Sequence, residues 1–149
     1  MEKLIIEASR RWAEGVYIER GVPLPRTDYP DLPWVQYEEY MRAQIVRAVL
    51  GEVGKLIVEF PPERSEDNRL HLHPTSDRII TVVRGSGRFV AKRFGVMMEA
   101  ALVPSTRVYM PRGTLHTFFA GPEGLLVHSL HLPWIPLEDP MCLVYQEEG

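Results

Sequence analysis

The stretch His71-Leu72-His73-Pro74 decides the fold, together with Pro111-Arg112-Gly113-Thr114-Leu115-His116 further along the chain. On a β-strand, residues two apart point to the same face, so His71 and His73 present two imidazoles to one place. The Pro-x-Gly turn before His116 can reverse the chain and aim that side chain into the same cavity. Three imidazole nitrogens suit a transition metal. The sequence therefore predicts a metal site inside a β-barrel.

Strand-like segments surround these histidines. Thirteen prolines and eleven glycines divide the chain into short pieces, which favours strands and turns over a helix bundle. β-Branched and alternating patterns predict strands at 44–50, 55–60, 78–83, 89–92, 99–103, 107–110, 116–119 and 125–132. The run Arg84-Gly85-Ser86-Gly87-Arg88 is interpreted as a hairpin turn between two of them. The predicted architecture is an antiparallel sandwich or barrel.

The two ends of the chain differ from this central part. Helix-like spacing of Leu4, Ile5, Ala8 and Trp12 predicts a short N-terminal helix over residues 1–15. Four prolines between residues 22 and 33 favour an extended arm lying on the body of the protein. We expect a single domain with three parts: helix and arm (1–43), barrel (44–133), and a C-terminal extension packed on the barrel (134–149).

Composition excludes several classes of function. The charged fraction is 25% and the net charge is −3, so no footprint for a nucleic-acid backbone is visible. The apolar runs are far shorter than the ~20 residues of a membrane span, and acidic residues near the N-terminus are wrong for a secretory signal. We expect a cytoplasmic protein. The single cysteine, Cys142, excludes an internal disulfide and a cysteine-based zinc site, and we interpret it as a packing residue.

The two histidine stretches resemble the conserved motifs of the cupin superfamily. His71-x-His73-Pro74, followed twelve positions after His73 by Gly85, is similar to the first cupin motif, and Pro111-x-Gly113-x-x-His116 is similar to the second. The resemblance covers about residues 44–133 and implies a small all-β jelly-roll barrel. It also implies that His71, His73 and His116 bind a divalent transition metal, with iron, manganese, nickel and zinc all compatible with imidazole ligands. Small cupins of this kind commonly form homodimers, which is the expected assembly.

Arg78 departs from the cupin pattern at an informative position. The glutamate that usually supplies a fourth ligand lies five residues after the second histidine, where this chain has Arg78. An arginine cannot lose its proton in a protein and offers no lone pair to a metal. Three interpretations remain open. Asp77 replaces the glutamate through a one-residue bulge, or Arg78 grips a substrate carboxylate or phosphate beside the metal, or the barrel has lost strong metal binding.

Two further residues are candidates for substrate binding. His128 and His131 are three apart on a predicted strand and therefore face opposite sides. His128 shares its face with Leu126, Leu130 and Leu132, and this face is a candidate for the barrel interior, which makes His128 a candidate site residue. Tyr109 is a candidate for lining an apolar cavity, with Phe118, Phe119 and Trp134. For each of these residues, ordinary core packing is the alternative interpretation.

The sequence supports two hypotheses for function. The first is a metal-dependent small cupin, an enzyme or enzyme-like protein of the dioxygenase, isomerase or lyase type, that acts on a small anionic molecule oriented by Arg78. The second is a non-catalytic cupin that binds a small molecule without strong metal binding. Neither hypothesis identifies a catalytic residue, because a cupin barrel hosts many chemistries.

Overall fold

The computed structural model describes residue 4 and residues 15–37, 41–62 and 69–146. The helix predicted over residues 1–15 falls almost wholly outside these ranges. The described residues form ten strands: β1 (Tyr17–Glu19), β2 (Val35–Tyr37), β3 (Met41–Arg47), β4 (Gly54–Phe60), β5 (His71–Leu72), β6 (Asp77–Arg93), β7 (Val96–Leu102), β8 (Arg107–Met110), β9 (Leu115–Leu132) and β10 (Val144–Tyr145). The predicted all-β class is confirmed.

The strands pair in one continuous antiparallel arrangement. Its main path runs β1-β8-β6-β9-β4-β3-β2, while β7 pairs with β6 and β5 bridges β9 and β10. The central strand β9 pairs with β4, β5 and β6, so elements distant in sequence meet along it. The strand at 107–110 has the bounds that the sequence predicts.

The two longest strands, β6 and β9, each continue through a region that the sequence assigned to turns. The hairpin predicted at Arg84 to Arg88 is wrong: β6 runs through these residues and shifts its register against β9 between Val82 and Arg84 and again between Gly85 and Gly87. Gly85 has a φ of +86°, which glycine adopts without strain. A Cβ at Gly85 or Gly87 would collide with a backbone carbonyl of β9. The glycines therefore allow two strands to bend together at close range.

The bend reverses which residues of a strand face the interior. Ile80 and Val82 of β6 belong to the main core before the bend, whereas Phe89 and Ala91 belong to it afterwards. In β9 the inward series changes from Phe118 to Leu125 and Val127 in the same way. One strand thus contributes to both sides of the closed core.

A second, smaller cluster lies on the outer face of the sheet. It contains Ile79, Tyr109 and Leu130, with Leu4 packed against it. Residues 20–34 contain no strand or helix and lie over neighbouring parts of the sheet. The amide of Gln44 on β3 donates to the carbonyl oxygens of Tyr29 and Leu32, which holds this segment in place.

The C-terminal segment returns to the strand that carries the histidine pair. β10 pairs with β5 through Val144 opposite Leu72 and Tyr145 opposite His71, and the Gln146 N–H donates to the Leu70 carbonyl. Across the described residues, no helix is long and apolar enough to cross a membrane.

Candidate metal centre

The three motif histidines converge inside the fold. His71 lies on β5 directly opposite His116 on β9, and His73 follows β5 immediately. Their ring centroids are 4.3 Å apart for His71 and His116, 5.0 Å for His73 and His116, and 5.3 Å for His71 and His73. Each ring offers a nitrogen within 4.8 Å of a nitrogen of the other two, and all three residues are buried. This is a set of side chains that could hold a metal ion.

Backbone carbonyls fix the orientation of each ring. Nδ1 of His71 lies 3.1 Å from the Arg69 oxygen, Nδ1 of His73 lies 2.8 Å from the Cys142 oxygen, and Nδ1 of His116 lies 2.8 Å from the Thr114 oxygen. A carbonyl can only accept, so each Nδ1 carries the proton and donates it. In the neutral ring the lone pair is then on Nε2, the arrangement typical of metal-binding histidines.

Burial keeps these imidazoles neutral. It lowers the pKa of His71 from the ordinary 6.5 to about 4, with a smaller effect from the nearby Arg78 charge. Burial also holds the pKa values of His73 and His116 well below 6.5, and Arg78 adds to both effects. At neutral pH the three rings are available as ligands, without protons to displace.

The histidines line a small enclosed space, which we name the inner cavity. Its volume is about 30 Å³, and its lining also includes Tyr37, Arg78, Phe118 and Ser129. Arg78 is only 2% exposed. Among the residues that the structure describes, the lining of the inner cavity contains a guanidinium and no carboxylate. Among these lining residues, the charged side chain is therefore the Arg78 cation.

Arg78 is positioned by a second group of polar residues behind the histidines. Its Nη1 donates to Nε2 of His131 at 2.6 Å, and the Ser129 hydroxyl lies 3.1 Å from the same nitrogen. The His131 ring stacks on Trp134 with centroids 5.6 Å apart. Burial, with Arg78 as a second cause, holds the pKa of His131 well below 6.5, so the ring is neutral and can accept from the guanidinium.

Asp77 does not take the place of the missing glutamate ligand. Its carboxylate accepts hydrogen bonds from the backbone N–H and the side chain of Arg112 at 2.8–3.2 Å. The pairing of β6 with β8 and β9 is regular from Asp77 to Thr81, so the bulge that this interpretation requires is absent there. Of the three interpretations of Arg78, the two without Asp77 remain.

His128 and Tyr109 lie outside the inner cavity. His128 is not among the residues that line the inner cavity, because in this part of β9 the odd-numbered residues Val127 and Ser129 do so. His128 pairs opposite Ile57 and Thr81 on the other face. Tyr109 belongs to the outer cluster, and its hydroxyl donates to Glu19 at 2.9 Å.

Tyr37 and Ser129 in the lining of the inner cavity, and His131 behind it, are polar residues that the sequence interpretation did not place at the site. The alternation of residues along β9 could have indicated this for Ser129 and His131. His116 and Phe118 are even-numbered, whereas Leu125 and Val127 are odd-numbered, so all four face inward only if the strand bends between them. Of the aromatic residues predicted to line a cavity, Phe118 does so, whereas the Phe119 ring lies under the Arg88 guanidinium. Cys142 is buried, and its carbonyl orients His73.

Comparison with known proteins relates the fold to solved structures. No family model matches the sequence, and no curated protein matches it at a significant level. Oxalate decarboxylase from Lactobacillus farciminis, in a formate complex, shares 18% identity over 77% of this chain and 33% of its own, with a TM-score of 0.61. Fe(II)-HppE with an alternative substrate shares 14% identity over 78% of this chain and 63% of its own, with a TM-score of 0.58.

A third similar structure is a cupin-2 domain from Rhodospirillum rubrum. It shares 18% identity over 72% of this chain and 73% of its own, with a TM-score of 0.58. The chain thus spans a third of the oxalate decarboxylase and under two thirds of HppE. At these identities the likeness concerns the fold alone, and it confirms the cupin barrel predicted from the two motifs.

Proposed function

We propose that this cupin-fold chain is a metal-dependent protein that acts on a small anionic molecule at a centre formed by His71, His73 and His116. One observation carries the proposal: three neutral imidazoles converge, each with its Nδ1 proton held by a backbone carbonyl. Such an orientation leaves three Nε2 lone pairs for one ion. Fe(II) in the structurally similar HppE supports a divalent ion of this type.

The anionic character of the bound molecule follows from charge. A divalent ion beside the buried Arg78 guanidinium would place two positively charged groups close together at the inner cavity. Charge in a low-dielectric interior is stabilised only by a close partner of opposite sign. A carboxylate or phosphate reaching the ion provides that partner, and the planar fork of Arg78 can orient it with two parallel hydrogen bonds.

The chemistry is of the dioxygenase, isomerase or lyase type. A bound divalent ion supplies Lewis-acid or, for iron, oxygen chemistry at the positions that the histidines leave open. The chain's own contribution is to exclude water, hold the ion through neutral rings, and fix the anion with Arg78. A small-molecule-binding protein of this fold without catalysis is the second candidate, favoured by the absence of a fourth ligand from the described lining.

Metal content tests the proposal. The protein is purified without chelator or a nickel column, and bound metal is measured by mass spectrometry, with melting temperatures recorded after adding Fe²⁺, Mn²⁺, Ni²⁺ or Zn²⁺. We expect about one ion per chain and a higher melting temperature with at least one ion. H73A should lose the ion, whereas H128A, a histidine outside the inner cavity, should keep it. Sub-stoichiometric metal and no thermal shift would contradict the proposal.

The homodimer implied by the motifs is a further proposal, which light scattering tests.

A further inference from the structure

A large groove lies next to the inner cavity, and we name it the outer groove. Its volume is about 820 Å³, within the range of ordinary ligand sites. Its lining is largely aromatic and aliphatic and includes Val35, Tyr37, Trp134, Leu137, Leu143 and Tyr145. These residues come from β2 and from the C-terminal segment, two parts of the chain far apart in sequence.

The outer groove and the inner cavity share a wall. Tyr37 lines both spaces. Cys142 lines the groove, and its backbone carbonyl accepts a hydrogen bond from Nδ1–H of His73 at 2.8 Å. Tyr145, also a groove residue, lies edge-on to the His71 ring with centroids 5.9 Å apart. Two of the three histidines thus contact residues of the groove directly, so a molecule in the groove lies one side chain away from the centre.

The two spaces differ in size and in charge. The inner cavity, at about 30 Å³, has room for about two water-sized groups and is too small for a whole organic molecule. Its charged side chain is the cation Arg78, whereas the charged side chains of the groove lining are the anions Glu138 and Asp139. The inner cavity therefore favours an anionic group, whereas the acidic residues of the groove lining disfavour one.

We propose that the substrate is an organic monoanion with an apolar or aromatic body. This inference rests on the proposed function. The carboxylate head binds in the inner cavity beside Arg78, and the body lies in the outer groove against Trp134 and Leu143. Tyr37 borders both spaces, so a molecule that spans them contacts its side chain. Glu138 and Asp139, the two acidic residues of the groove lining, select against a second anionic group on the body.

A matched ligand series tests the proposal on the Co²⁺-loaded protein. Acetate, 3-phenylpropanoate and 3-(4-carboxyphenyl)propanoate are titrated by calorimetry, and the Co²⁺ absorption spectrum reports whether each head group reaches the metal. We expect 3-phenylpropanoate to bind at least about tenfold more tightly than acetate, because its ring buries apolar surface in the groove. The dicarboxylate should bind more weakly than 3-phenylpropanoate and recover in E138Q, which removes a repelling charge.

Two variants of adjacent residues locate the body of the ligand. L143D places a charge in the groove lining, whereas V144D places the same charge on the next, more exposed residue, which is not part of that lining. L143D should abolish the advantage of 3-phenylpropanoate over acetate, measured as the ratio of the two affinities within the variant. V144D should retain the advantage. Equal affinities for acetate and 3-phenylpropanoate, or equal effects of the two variants, would overturn the assignment of the groove.

Failure of the metal site gives a different result. If the protein does not bind Co²⁺, the proposed function is contradicted, and the same ligand series is titrated against the metal-free protein, where Arg78 alone attracts the head group. Tighter binding of 3-phenylpropanoate, lost in L143D, would still support the groove. Equal, weak binding of all three ligands would overturn it.

Discussion

Arg78 distinguishes this centre from a metal site with a carboxylate ligand. The side chain is buried among the three histidines and donates to the neutral His131 ring. The resemblance of the two histidine stretches to cupin motifs predicted that the three histidines meet, and it marked Arg78 as a departure from the pattern. The partner of Arg78 could not be predicted, because His131 reaches the interior only after the bend of β9 has changed which residues face inward.

Reversing the charge at residue 78 should strengthen metal binding and weaken anion binding. R78E replaces a cation beside the histidines with a carboxylate that can reach the ion, so we expect metal affinity to rise at least about tenfold. Acetate binding to the metal-loaded protein should be lost. Calorimetry with Zn²⁺, and then with acetate, measures both.

R84E is the matched control for this change. Arg84 lies on the same strand with a side chain 72% exposed, so solvent screens the reversal and both affinities should stay near those of the unaltered protein. A lower Zn²⁺ affinity in R78E than in R84E would show that residue 78 does not face the ion.

His128 should make the protein less stable in acid. Burial, aided by the charges of Lys55 and Arg107, lowers its pKa to about 4, against 6.5 when unfolded. Between these values the unfolded chain binds the extra proton, so the free energy of unfolding falls as the pH falls from about 6.5 towards 4. One such group contributes a slope of up to about 1.4 kcal/mol per pH unit.

H128L isolates this contribution from that of the other histidines. Urea unfolding of the metal-free protein at several pH values between 4 and 7 should show a shallower dependence in H128L, by up to the slope of one proton. The variant should also be no less stable than the unaltered protein at pH 5, since Nε2 of His128 is buried without a hydrogen-bond partner in the structure. Identical slopes would mean that His128 is protonated alike in both states.

The bends in strands β6 and β9 are a feature that the local sequence pattern could not predict. Alternation and β-branched residues predicted most of the strand segments, because those signals are local. Gly85 and Gly87, in contrast, are equally suited to a turn and to a close approach of two backbones. The long-range partner decides between them: the carbonyl of Phe119 lies where a Cβ of residue 87 would be.

G87A should therefore destabilise the protein through a backbone collision. We expect a loss of roughly 2 kcal/mol or more in the free energy of unfolding, because the Phe119 carbonyl belongs to the backbone and cannot rotate away. G95A is the control, since Gly95 has a φ of +77° but nothing within 4 Å of the added Cβ. That change should cost only about 1 kcal/mol of backbone strain. Urea unfolding measures both, and a G87A protein no less stable than G95A would contradict the close approach.

At the scale of the whole molecule, the centre depends on a terminal segment remote from the motifs. β5 brings His71 opposite His116, but β5 has only two residues and is held on its other side by β10. The same C-terminal segment supplies the Cys142 carbonyl that orients His73. From the sequence we expect residues 134–149 to pack on the barrel. Its contribution to ligand orientation could not be predicted, because a carbonyl contact leaves no signal in residue type.

Weakening the attachment of this segment should lower metal affinity without unfolding the barrel. The Gln146 N–H donates to the Leu70 carbonyl at 2.9 Å, next to His71. Q146P removes that donor and restricts Tyr145, whereas Q146A keeps it. Because loss of a group that orients a metal ligand typically costs 10–100-fold in affinity, we expect Q146P to bind Zn²⁺ about tenfold more weakly than Q146A. Far-UV circular dichroism and the melting temperature of the metal-free protein should be nearly the same in the two variants, since the main core contains none of these residues. Equal Zn²⁺ affinities would show that β9 alone positions His71, and that the C-terminal segment covers the site without orienting its ligands.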